Sequence, residues 1–417
     1  MDKILIRGGK PLKGDVQVRG AKNAALPLMA AALLAEGPCV LHNVPCLHDV
    51  FTMDKILSSM GVDIEFTGRY MTLTAPSTAQ PEAPYDLVRK MRASFFVLGP
   101  LLGRFGRARV SLPGGCAIGT RPVDIHLKGL EALGANIRID EGYVLAEGRL
   151  TGADITLAFP SVGATENIMM AACRAQGVTR LSNAAREPEI EDLARFLNGM
   201  GARISGAGTD LITVVGVEAL SGVEHAVIAD RIEAGTFLTA GAATGGEVTV
   251  SNACPEHLVA FLDKLREAGA DVEVYGRRIR IAAPNGLKAV DVATQPYPGF
   301  ATDLQAQMMA LLTCAAGVSH IKETVFENRF MQASELVRMG ADIALEGNMA
   351  IVRGVQHLSG APVMASDLRA SAALVIAGLM ATRGETAIAR VYHIDRGYER
   401  IEERLATLGA DVERVHE

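Results

Sequence analysis

The apolar and polar positions of the chain repeat with one pattern along its whole length. A stretch with helical periodicity ends in an apolar residue, a glycine and a small residue, and β-branched residues typical of a strand follow. The glycines of this pattern are Gly61, Gly134, Gly201, Gly269, Gly340 and Gly409, at successive spacings of 73, 67, 68, 71 and 69 residues. A glycine at that position favours a helix that ends in left-handed backbone. We therefore predict copies of one unit, each about 70 residues long.

A second type of helix runs in phase with the first. An Ala-rich, almost wholly apolar segment leads to a glycine and then to a short strand with alternating burial. The glycines of this second pattern are Gly37, Gly106, Gly177, Gly246, Gly317 and Gly384. Each unit therefore holds one apolar and one amphipathic helix, both followed by strands, which is a βαβαββ-type arrangement. Because a helix that is apolar on all sides is usually buried, we expect the apolar helices inside and the sheets around them.

The number of units sets the expected domain organisation. The chain has 417 residues, more than a usual single domain. Units of this length exceed the roughly 20 to 50 residue period of open solenoids, so closed globular domains are favoured. Three units per domain is the simplest division of six, and it places a boundary near Asp230. The expected fold class is α/β, with two domains of three repeats each.

Composition narrows the classes of function. Hydrophobic residues make up 49% of the chain, aromatic residues 5%, and Trp is absent, so the core is expected to consist of small and aliphatic side chains. A net charge of -6 argues against non-specific binding of nucleic acid. No apolar run reaches about 18 residues, and the amino terminus becomes polar too early for a signal peptide. The cysteines form no C-x-x-C pair, so we expect a cytoplasmic protein without a membrane partner or a metal.

Charged and polar residues gather where the apolar helices are predicted to begin. These starts are Lys22-Asn23, Arg92-Ala93-Ser94, Thr165-Glu166-Asn167, Arg231-Ile232-Glu233, Thr302-Asp303-Leu304-Gln305 and Asp367-Leu368-Arg369. Helix amino ends bind anions, and if the two domains face each other there, a cleft would hold Lys22, Arg92, Arg231 and Arg369. Helix capping is the alternative, for example a capping box of Thr302 with Gln305. Capping does not explain the cations, because they oppose the helix dipole and need an anionic partner.

The segment from 111 to 124 contains the most informative cysteine. Three glycines and two prolines predict a loop around Cys116. A thiol in such a loop is expected to be accessible, and Arg121 nearby would lower its pKa below the free value of about 8.5. Cys173 and Cys314 instead lie in apolar helices, where a cysteine acts as a small hydrophobic residue.

The same loop carries a resemblance to a known family. Pro113 to Cys116, followed by Gly119, Arg121, Pro122 and Asp124, resembles the active-site loop of the UDP-N-acetylglucosamine 1-carboxyvinyltransferases, within the EPSP synthase superfamily. Further similar segments lie at 20–25, 160–165, 185–189, 326–330 and 393–400, so the resemblance covers the whole chain. It implies a two-domain inside-out α/β barrel with domains 22–229 and 1–21 plus 230–417, and an active site in the cleft between them.

The resemblance also implies a reaction and a set of residues. The enolpyruvyl group of phosphoenolpyruvate would be transferred to the 3'-hydroxyl of UDP-N-acetylglucosamine with release of phosphate, the first committed step of peptidoglycan synthesis, without a cofactor. Cys116 would act as the acid and Asp303 as the base, with Lys22 and Arg396 as further catalytic residues. The substrate-binding residues would be Lys22, Asn23, Arg92, Arg121, Pro122, Val123, Asp124, Ile125, Ser161, Val162, Gly163, Asp303, Val325, Arg329, Asp367, Arg369 and Arg396. The chain departs from the family pattern at His48 and Phe159, where many members carry lysine.

Two other interpretations compete with this one. The sister enzyme that acts on shikimate 3-phosphate has the same architecture, but it lacks the cysteine loop, so the segment from Pro113 to Asp124 argues against it. A non-catalytic repeat protein would explain the repetition. It would leave Cys116 and the cations at the helix starts without a role.

Overall fold

The computed structural model describes residues 2–78, 81–88, 91–112, 123–326 and 328–416. Three predicted site residues, Cys116, Arg121 and Pro122, lie outside the described residues.

Short strands with alternating burial recur through the described ranges. In chain order they are β1 (Lys3–Arg7), β2 (Lys13–Gln17), β3 (Pro38–His42), β4 (Asp63–Thr67), β5 (Tyr70–Thr74), β6 (Glu82–Ala83), β7 (Arg107–Ser111), β8 (Asn136–Asp140), β9 (Tyr143–Glu147), β10 (Asp154–Thr156), β11 (Val178–Ser182), β12 (Arg203–Ser205), β13 (Leu211–Val215), β14 (Glu224–Ala226), β15 (Glu247–Ser251), β16 (Asp271–Tyr275), β17 (Arg278–Ala282), β18 (Val292–Ala293), β19 (Val318–Lys322), β20 (Asp342–Glu346), β21 (Met349–Arg353), β22 (Pro362–Met364), β23 (Thr386–Ala389) and β24 (Asp411–Val415). Along β17, Ile279 and Ile281 are buried while Arg278 is exposed. This alternation places one face of the strand on a core.

Helices alternate with single strands and groups of these strands along the chain. In chain order they are α1 (Lys22–Ala31), α2 (His48–Ser59), α3 (Tyr85–Val88), α4 (Leu98–Phe105), α5 (Asp124–Ala132), α6 (Val162–Ala172), α7 (Pro188–Gly199), α8 (Arg231–Ala243), α9 (Val259–Glu267), α10 (Gln305–Leu312), α11 (Gln332–Arg338), α12 (Leu368–Met380) and α13 (Ile401–Thr407). Short 3-10 turns lie at Ala32–Leu34, Arg92–Val97, Pro255–His257, Thr302–Leu304 and Val391–Arg396. Gly61 and its counterparts in the first repeated pattern follow helix ends with φ between +88° and +106°, so their predicted left-handed conformation is confirmed.

The sheets repeat a single topology. Within the described residues there are six four-stranded sheets, and in each of them one strand pair is parallel and two are antiparallel. The strand orders are β14-β3-β5-β4, β6-β7-β9-β8, β10-β11-β13-β12, β16-β17-β15-β2, β18-β19-β21-β20 and β22-β23-β1-β24. The amino-terminal strands complete two sheets of later repeats, because β1 pairs with β23 and β24 and β2 pairs with β15.

The described chain divides into two compact units. The amino-terminal unit spans 20–78, 81–88, 91–112 and 123–228, and the carboxy-terminal unit spans 2–19, 229–326 and 328–416. Each unit has its own continuous core of aliphatic and small side chains. Each therefore contains three sheets with their helices.

The apolar helices occupy the centre of each unit, as the sequence predicts. In the carboxy-terminal unit α8, α10 and α12 pack on one another, and every residue of α12 is buried. In the amino-terminal unit α4 packs against α6, and a Cβ atom on Gly99 would lie 2.2 Å from the carbonyl oxygen of Asn167. Only glycine permits that approach. The helices of the described ranges are all too short or too polar to cross a membrane.

Candidate active site

The carboxylate of Asp303 is the centre of a charged cluster in the carboxy-terminal unit. Asp303 lies in the 3-10 turn that precedes α10. Arg329 approaches one carboxylate oxygen, with Nη2 2.8 Å from Oδ1, and Arg369 approaches the other, with Nη2 2.7 Å from Oδ2. The side chains of the two arginines are 7% and 5% exposed, whereas that of Asp303 is 22% exposed. The carboxylate is therefore fixed from behind by two buried cations while part of it faces solvent.

The start of α12 positions Arg369. Asp367 caps this helix, because its Oδ1 accepts hydrogen bonds from the backbone amides of Arg369 and Ala370 at 2.9 and 3.1 Å. The Arg369 guanidinium also donates through Nη1 to the hydroxyl of Tyr398 at 3.3 Å. Burial opposes its charge, but the neighbouring charge of Asp303 helps to raise the pKa of Arg369 above its usual value. Arg369 therefore stays a cation at every physiological pH.

Arg329 is positioned through a hydroxyl group. Its Nη1 donates to Thr302 Oγ1 at 3.0 Å, and that hydroxyl donates to Glu323 Oε2 at 2.9 Å. The predicted capping box of Thr302 with Gln305 is wrong, because Ala301 precedes the turn and no side chain caps it. The hydroxyl of Thr302 is instead used to join Glu323 to Arg329. Val325, another predicted binding residue, donates its amide to Glu323 Oε1 at 2.9 Å.

Two further predicted cations of the carboxy-terminal unit, Arg396 and Arg231, lie at the end of a 3-10 turn and at the start of a helix. Arg396 ends the 3-10 turn Val391–Arg396. Burial lowers the pKa of His393 and the charge of Arg396 lowers it further, whereas Asp367 raises it, so His393 lies within electrostatic range of both charges. Arg231 begins α8, and its guanidinium carbon is 5.8 Å from the ring centre of Tyr297.

In the amino-terminal unit, Lys22 pairs with a buried carboxylate. Lys22 begins α1, and its Nζ lies 3.2 Å from Oδ2 of Asp49, in the first turn of α2. The two side chains are 12% and 5% exposed. Asn23 follows in the first turn of α1 and is half-buried. The anionic partner that a cation at a helix start needs is therefore a protein carboxylate in both cases, Asp49 for Lys22 and Asp303 for Arg369.

A second group of predicted residues surrounds His126. Burial, and then the charge of Arg92, lowers the pKa of His126 to about 3, so the imidazole is neutral. The side-chain amide of Asn167 lies 3.0 Å from His126 Nδ1 and donates to it. A Cβ atom on Gly163 would lie 3.1 Å from His126 Cε1. The structure therefore brings Arg92 and the start of α6 together around a neutral histidine.

The helix starts of this unit differ in part from the prediction. Ser161 caps α6, since its hydroxyl accepts from the Ala164 amide at 3.4 Å, and Val162 and Gly163 form the first turn. The prediction that Thr165, Glu166 and Asn167 begin a helix is wrong, because α6 begins at Val162 and these residues are buried within it. Val123 precedes α5, and Asp124 and Ile125 open it.

The comparisons with known proteins agree on one family. The family described as EPSP synthase (3-phosphoshikimate 1-carboxyvinyltransferase) matches residues 6–405. The chain is 57% identical over 417 residues to a UDP-N-acetylglucosamine 1-carboxyvinyltransferase of Sorangium cellulosum, covering 100% of this chain and 99% of that protein. It is 59% identical over 420 residues to the protein of that name from an Anaeromyxobacter species, covering 99% of each.

Solved structures agree on the fold. The enolpyruvyl transferase NikO from Streptomyces tendae superposes with a TM-score of 0.89 at 27% identity, covering 99% of this chain and 98% of that one. An EPSP synthase from Acinetobacter baumannii has the same fold, with a TM-score of 0.76 at 19% identity and complete coverage of both chains. The predicted inside-out α/β barrel fold is thus confirmed. The chain belongs to the EPSP synthase family and, within it, to the UDP-N-acetylglucosamine 1-carboxyvinyltransferases.

Proposed function

We propose that this chain transfers the enolpyruvyl group of phosphoenolpyruvate to the 3'-hydroxyl of UDP-N-acetylglucosamine and releases phosphate, a reaction of peptidoglycan synthesis. One observation carries the proposal: the identity of 57% to a UDP-N-acetylglucosamine 1-carboxyvinyltransferase extends over the whole chain. The geometry around Asp303 supports it, because the reaction needs a carboxylate base beside cations that attract an anionic substrate.

Asp303 is the proposed general base for the sugar hydroxyl. Two guanidiniums hold its carboxylate ionised and in one orientation, and its 22% exposure leaves room for a substrate hydroxyl to approach. The same two cations weaken it as a base while they are fully paired with it. Phosphoenolpyruvate, with close to three negative charges, would compete for Arg329 and Arg369 and free the carboxylate to accept the proton. The base would then become effective when the donor substrate is bound.

Cys116 is the proposed acid. Its thiol would give a proton to the methylene carbon of phosphoenolpyruvate while the sugar oxygen attacks the adjacent carbon and Asp303 takes the hydroxyl proton. A proton then leaves the new methyl group and the carbon–oxygen bond to phosphate breaks, which restores the double bond. The role of Cys116 rests on the resemblance of its loop to that of the family, and the same thiol would be alkylated by epoxides of the fosfomycin type.

The remaining cations would bind the anionic substrates. At an effective dielectric constant of about 20, a cation about 4 Å from a phosphate contributes on the order of 4 kcal/mol, so several are needed for a trianion. Lys22, Asn23, Arg121 and Arg396 are proposed to bind phosphoenolpyruvate, and Arg329 and Arg369 to complete the basic site. The sugar nucleotide is assigned to Arg92, residues 121–125, residues 161–163 and Val325, and Asp367 acts as the cap that holds Arg369 in place.

This assignment takes residues from both halves of the chain. The proposal therefore keeps the predicted domains, 22–229 and 1–21 with 230–417, and the predicted cleft between them. A cytoplasmic location is also part of the proposal. It is supported by the substrate, a nucleotide sugar, and by free thiols at Cys39, Cys173 and Cys314.

An acceptor assay tests this function. Phosphate release from phosphoenolpyruvate is measured with UDP-N-acetylglucosamine and, separately, with shikimate 3-phosphate. We expect release with the nucleotide sugar alone. Release that depends on shikimate 3-phosphate instead would assign the sister activity to the chain.

A cysteine variant tests the proposed acid. Cys116→Ser should abolish turnover and prevent the mass increase of the 116-containing peptide after treatment with a fosfomycin-type epoxide. Cys254→Ser is the control, because Cys254 is a half-buried thiol in another part of the sequence, and it should keep both properties. Full turnover by Cys116→Ser would refute the acid role.

A further inference from the structure

The fully buried carboxylate of Glu323 is connected to the proposed base, Asp303, through the hydroxyl of Thr302 and the guanidinium of Arg329. Glu323 follows β19 and is 0% exposed. Its backbone is held by Asn348, whose carbonyl accepts from the Glu323 amide at 2.9 Å and whose side-chain amide donates to the Glu323 carbonyl at 3.0 Å. The backbone that carries the Glu323 side chain is therefore fixed at both its amide and its carbonyl group.

Four neutral donors converge on the Glu323 carboxylate. Oε1 accepts from the Thr294 hydroxyl at 2.6 Å and from the backbone amides of Val325 and Phe326 at 2.9 and 3.0 Å. Oε2 accepts from the Thr302 hydroxyl at 2.9 Å. A carboxylate oxygen accepts hydrogen bonds, and here three donors share Oε1 and one donates to Oε2. A buried group satisfied in this way fixes the orientation of every donor around it.

The bond to Thr302 sets the direction of a chain of hydrogen bonds that ends at Asp303. Because the hydroxyl of Thr302 donates to Glu323, its lone pairs face Arg329, and Arg329 Nη1 donates to it at 3.0 Å. The other terminal nitrogen of Arg329 lies 2.8 Å from Asp303 Oδ1. Thr302 is also the neighbour of Asp303 along the chain. Glu323 therefore acts on Asp303 both through the backbone turn and through the guanidinium.

We propose that Glu323 is a positioning residue for the transfer reaction, which orients Asp303 through Thr302 and Arg329 and holds the 325–326 backbone beside them. This inference rests on the proposed function, because it assigns Glu323 to the same site. A structural role alone would make Glu323 matter for stability, whereas a positioning role makes it matter for the step in which Asp303 takes a proton. The two roles predict different kinetics.

Glu323→Gln tests the positioning role. The amide oxygen of Gln can replace Oε1, but its NH2 group replaces Oε2 and donates to Thr302 instead of accepting from it. The Thr302 hydroxyl then turns its hydrogen elsewhere and accepts from the new amide, which reorients and weakens the bond that it accepts from Arg329. We expect kcat to fall at least about tenfold, with KM for UDP-N-acetylglucosamine changed less than threefold, because misplacement of a reacting group acts mainly on the chemical step.

Thr294→Val is the matched control. It removes a hydroxyl that donates to the other oxygen of Glu323 and that also accepts from the Thr324 amide at 2.9 Å. It therefore disturbs the same buried network on the side away from Thr302. We expect a comparable fall in the melting temperature and a change in kcat of less than about threefold. Equal losses of kcat in Glu323→Gln and Thr294→Val would overturn the proposal.

A double-mutant cycle tests the route through Thr302. If Glu323 acts through that hydroxyl, Thr302→Val should lower kcat by itself and have little further effect when combined with Glu323→Gln. Losses that multiply in the double variant would overturn the route.

Hydrogen exchange separates failure of this inference from failure of the proposed function. If the wild-type protein releases no phosphate with UDP-N-acetylglucosamine, the proposed function fails. The part of the inference in which Glu323 holds the 325–326 backbone is then tested separately by the exchange of the Val325 and Phe326 amides in Glu323→Ala. Faster exchange of both amides supports it, and unchanged exchange overturns it.

Discussion

In the carboxy-terminal unit the carboxylate of Asp303 lies between two guanidiniums, whereas in the amino-terminal unit neither carboxylate oxygen of the buried Glu166 has a hydrogen-bond partner among the described residues. Burial, and then the nearby charges of Glu189 and Glu187, raises the pKa of Glu166 well above its usual value. The two units share one fold, yet one keeps its carboxylate charged by pairing it and the other keeps its carboxyl group neutral by burying it. The fold alone therefore does not set the charge state of a carboxyl group near the helix starts.

The histidine of the amino-terminal unit follows the same rule as Glu166. His126 is buried and neutral, and it is held by Asn167 rather than by a charge. In the carboxy-terminal unit, by contrast, the buried polar cluster is built around an ion, because Arg369 donates hydrogen bonds to both Asp303 and Tyr398. The comparison predicts that substitutions in the ionic cluster change catalysis most, and that substitutions around the neutral groups change mainly the pH dependence of stability.

Asp303→Asn should have the largest effect. Asn keeps the shape but cannot accept the hydroxyl proton, so kcat should fall about 10²- to 10⁴-fold. Asp342→Asn is the control, because Asp342 forms an exposed pair with Arg353 at 3.4 Å in the same unit. Steady-state phosphate release measures both variants. Activity of Asp303→Asn within tenfold of wild type would contradict the assignment of the base.

Arg369→Lys should have the next largest effect, on both stability and activity. Lysine keeps the charge but lacks the planar fork that reaches Asp303 and Tyr398 together. The free energy of unfolding should fall by about 1–3 kcal/mol, because a buried polar group loses its partner. Arg353→Lys, in the exposed pair, should cost less than about 0.5 kcal/mol. Denaturant unfolding of both variants gives the comparison, and equal costs would show that burial of the Asp303 pair has no consequence.

Glu166→Gln should change how stability depends on pH. The folded protein keeps a proton on Glu166 at pH values where the unfolded chain has released it, so wild-type stability falls as pH rises above about 4.5. Gln stays neutral, and its advantage over wild type should grow with pH by up to about 1.4 kcal/mol per pH unit until the folded pKa is reached. Thermal melts from pH 5 to 8 measure this, with the exposed Glu131→Gln as control. A constant difference between Glu166→Gln and wild type would contradict the buried neutral acid.

His126 should give the smallest effect, because its imidazole should not titrate between pH 5 and 8. Since its pKa is lowered to about 3, the folded protein binds no proton there between pH 5 and 8. The unfolded chain binds one below about 6.5, so the contribution of His126 to stability is present above that pH and is lost as pH falls towards 3. Nitrogen NMR of the imidazole should show one neutral form through pH 5 to 8. A midpoint within that range would contradict the burial of the ring.

The repeated architecture could be predicted because it depends on local properties. Gly61 and its counterparts end helices through backbone conformation, and α12, which is apolar apart from Arg369 and Ser371 near its start, has no face suited to water. Both signals are contained in a few neighbouring residues. The start of α6 was misplaced because Glu166 resembles a first-turn acid in sequence, although in the fold it is buried.

The partners of the charged residues could not be predicted from local pattern. Lys22 and Asp49 are 27 residues apart, and Arg369 and Asp303 are 66 apart, so each pair exists only after the helices pack. The sequence indicated which side chains are chemically suited to an anion, and it did not indicate which protein carboxylates already neutralise them. Nothing in the sequence marked Glu323 as a functional residue, because a glutamate after a strand is common. Only the four hydrogen-bond donors around its carboxylate distinguish it.

The most direct test of the account is the product of a complete reaction. The protein is incubated with phosphoenolpyruvate and UDP-N-acetylglucosamine, and the phosphate and the nucleotide product are quantified together, the latter by mass spectrometry. The proposed transfer should give one phosphate for each UDP-N-acetylglucosamine that gains an enolpyruvyl group at its 3'-oxygen. Phosphate without that product, or no reaction of the wild-type protein with this acceptor, would contradict it.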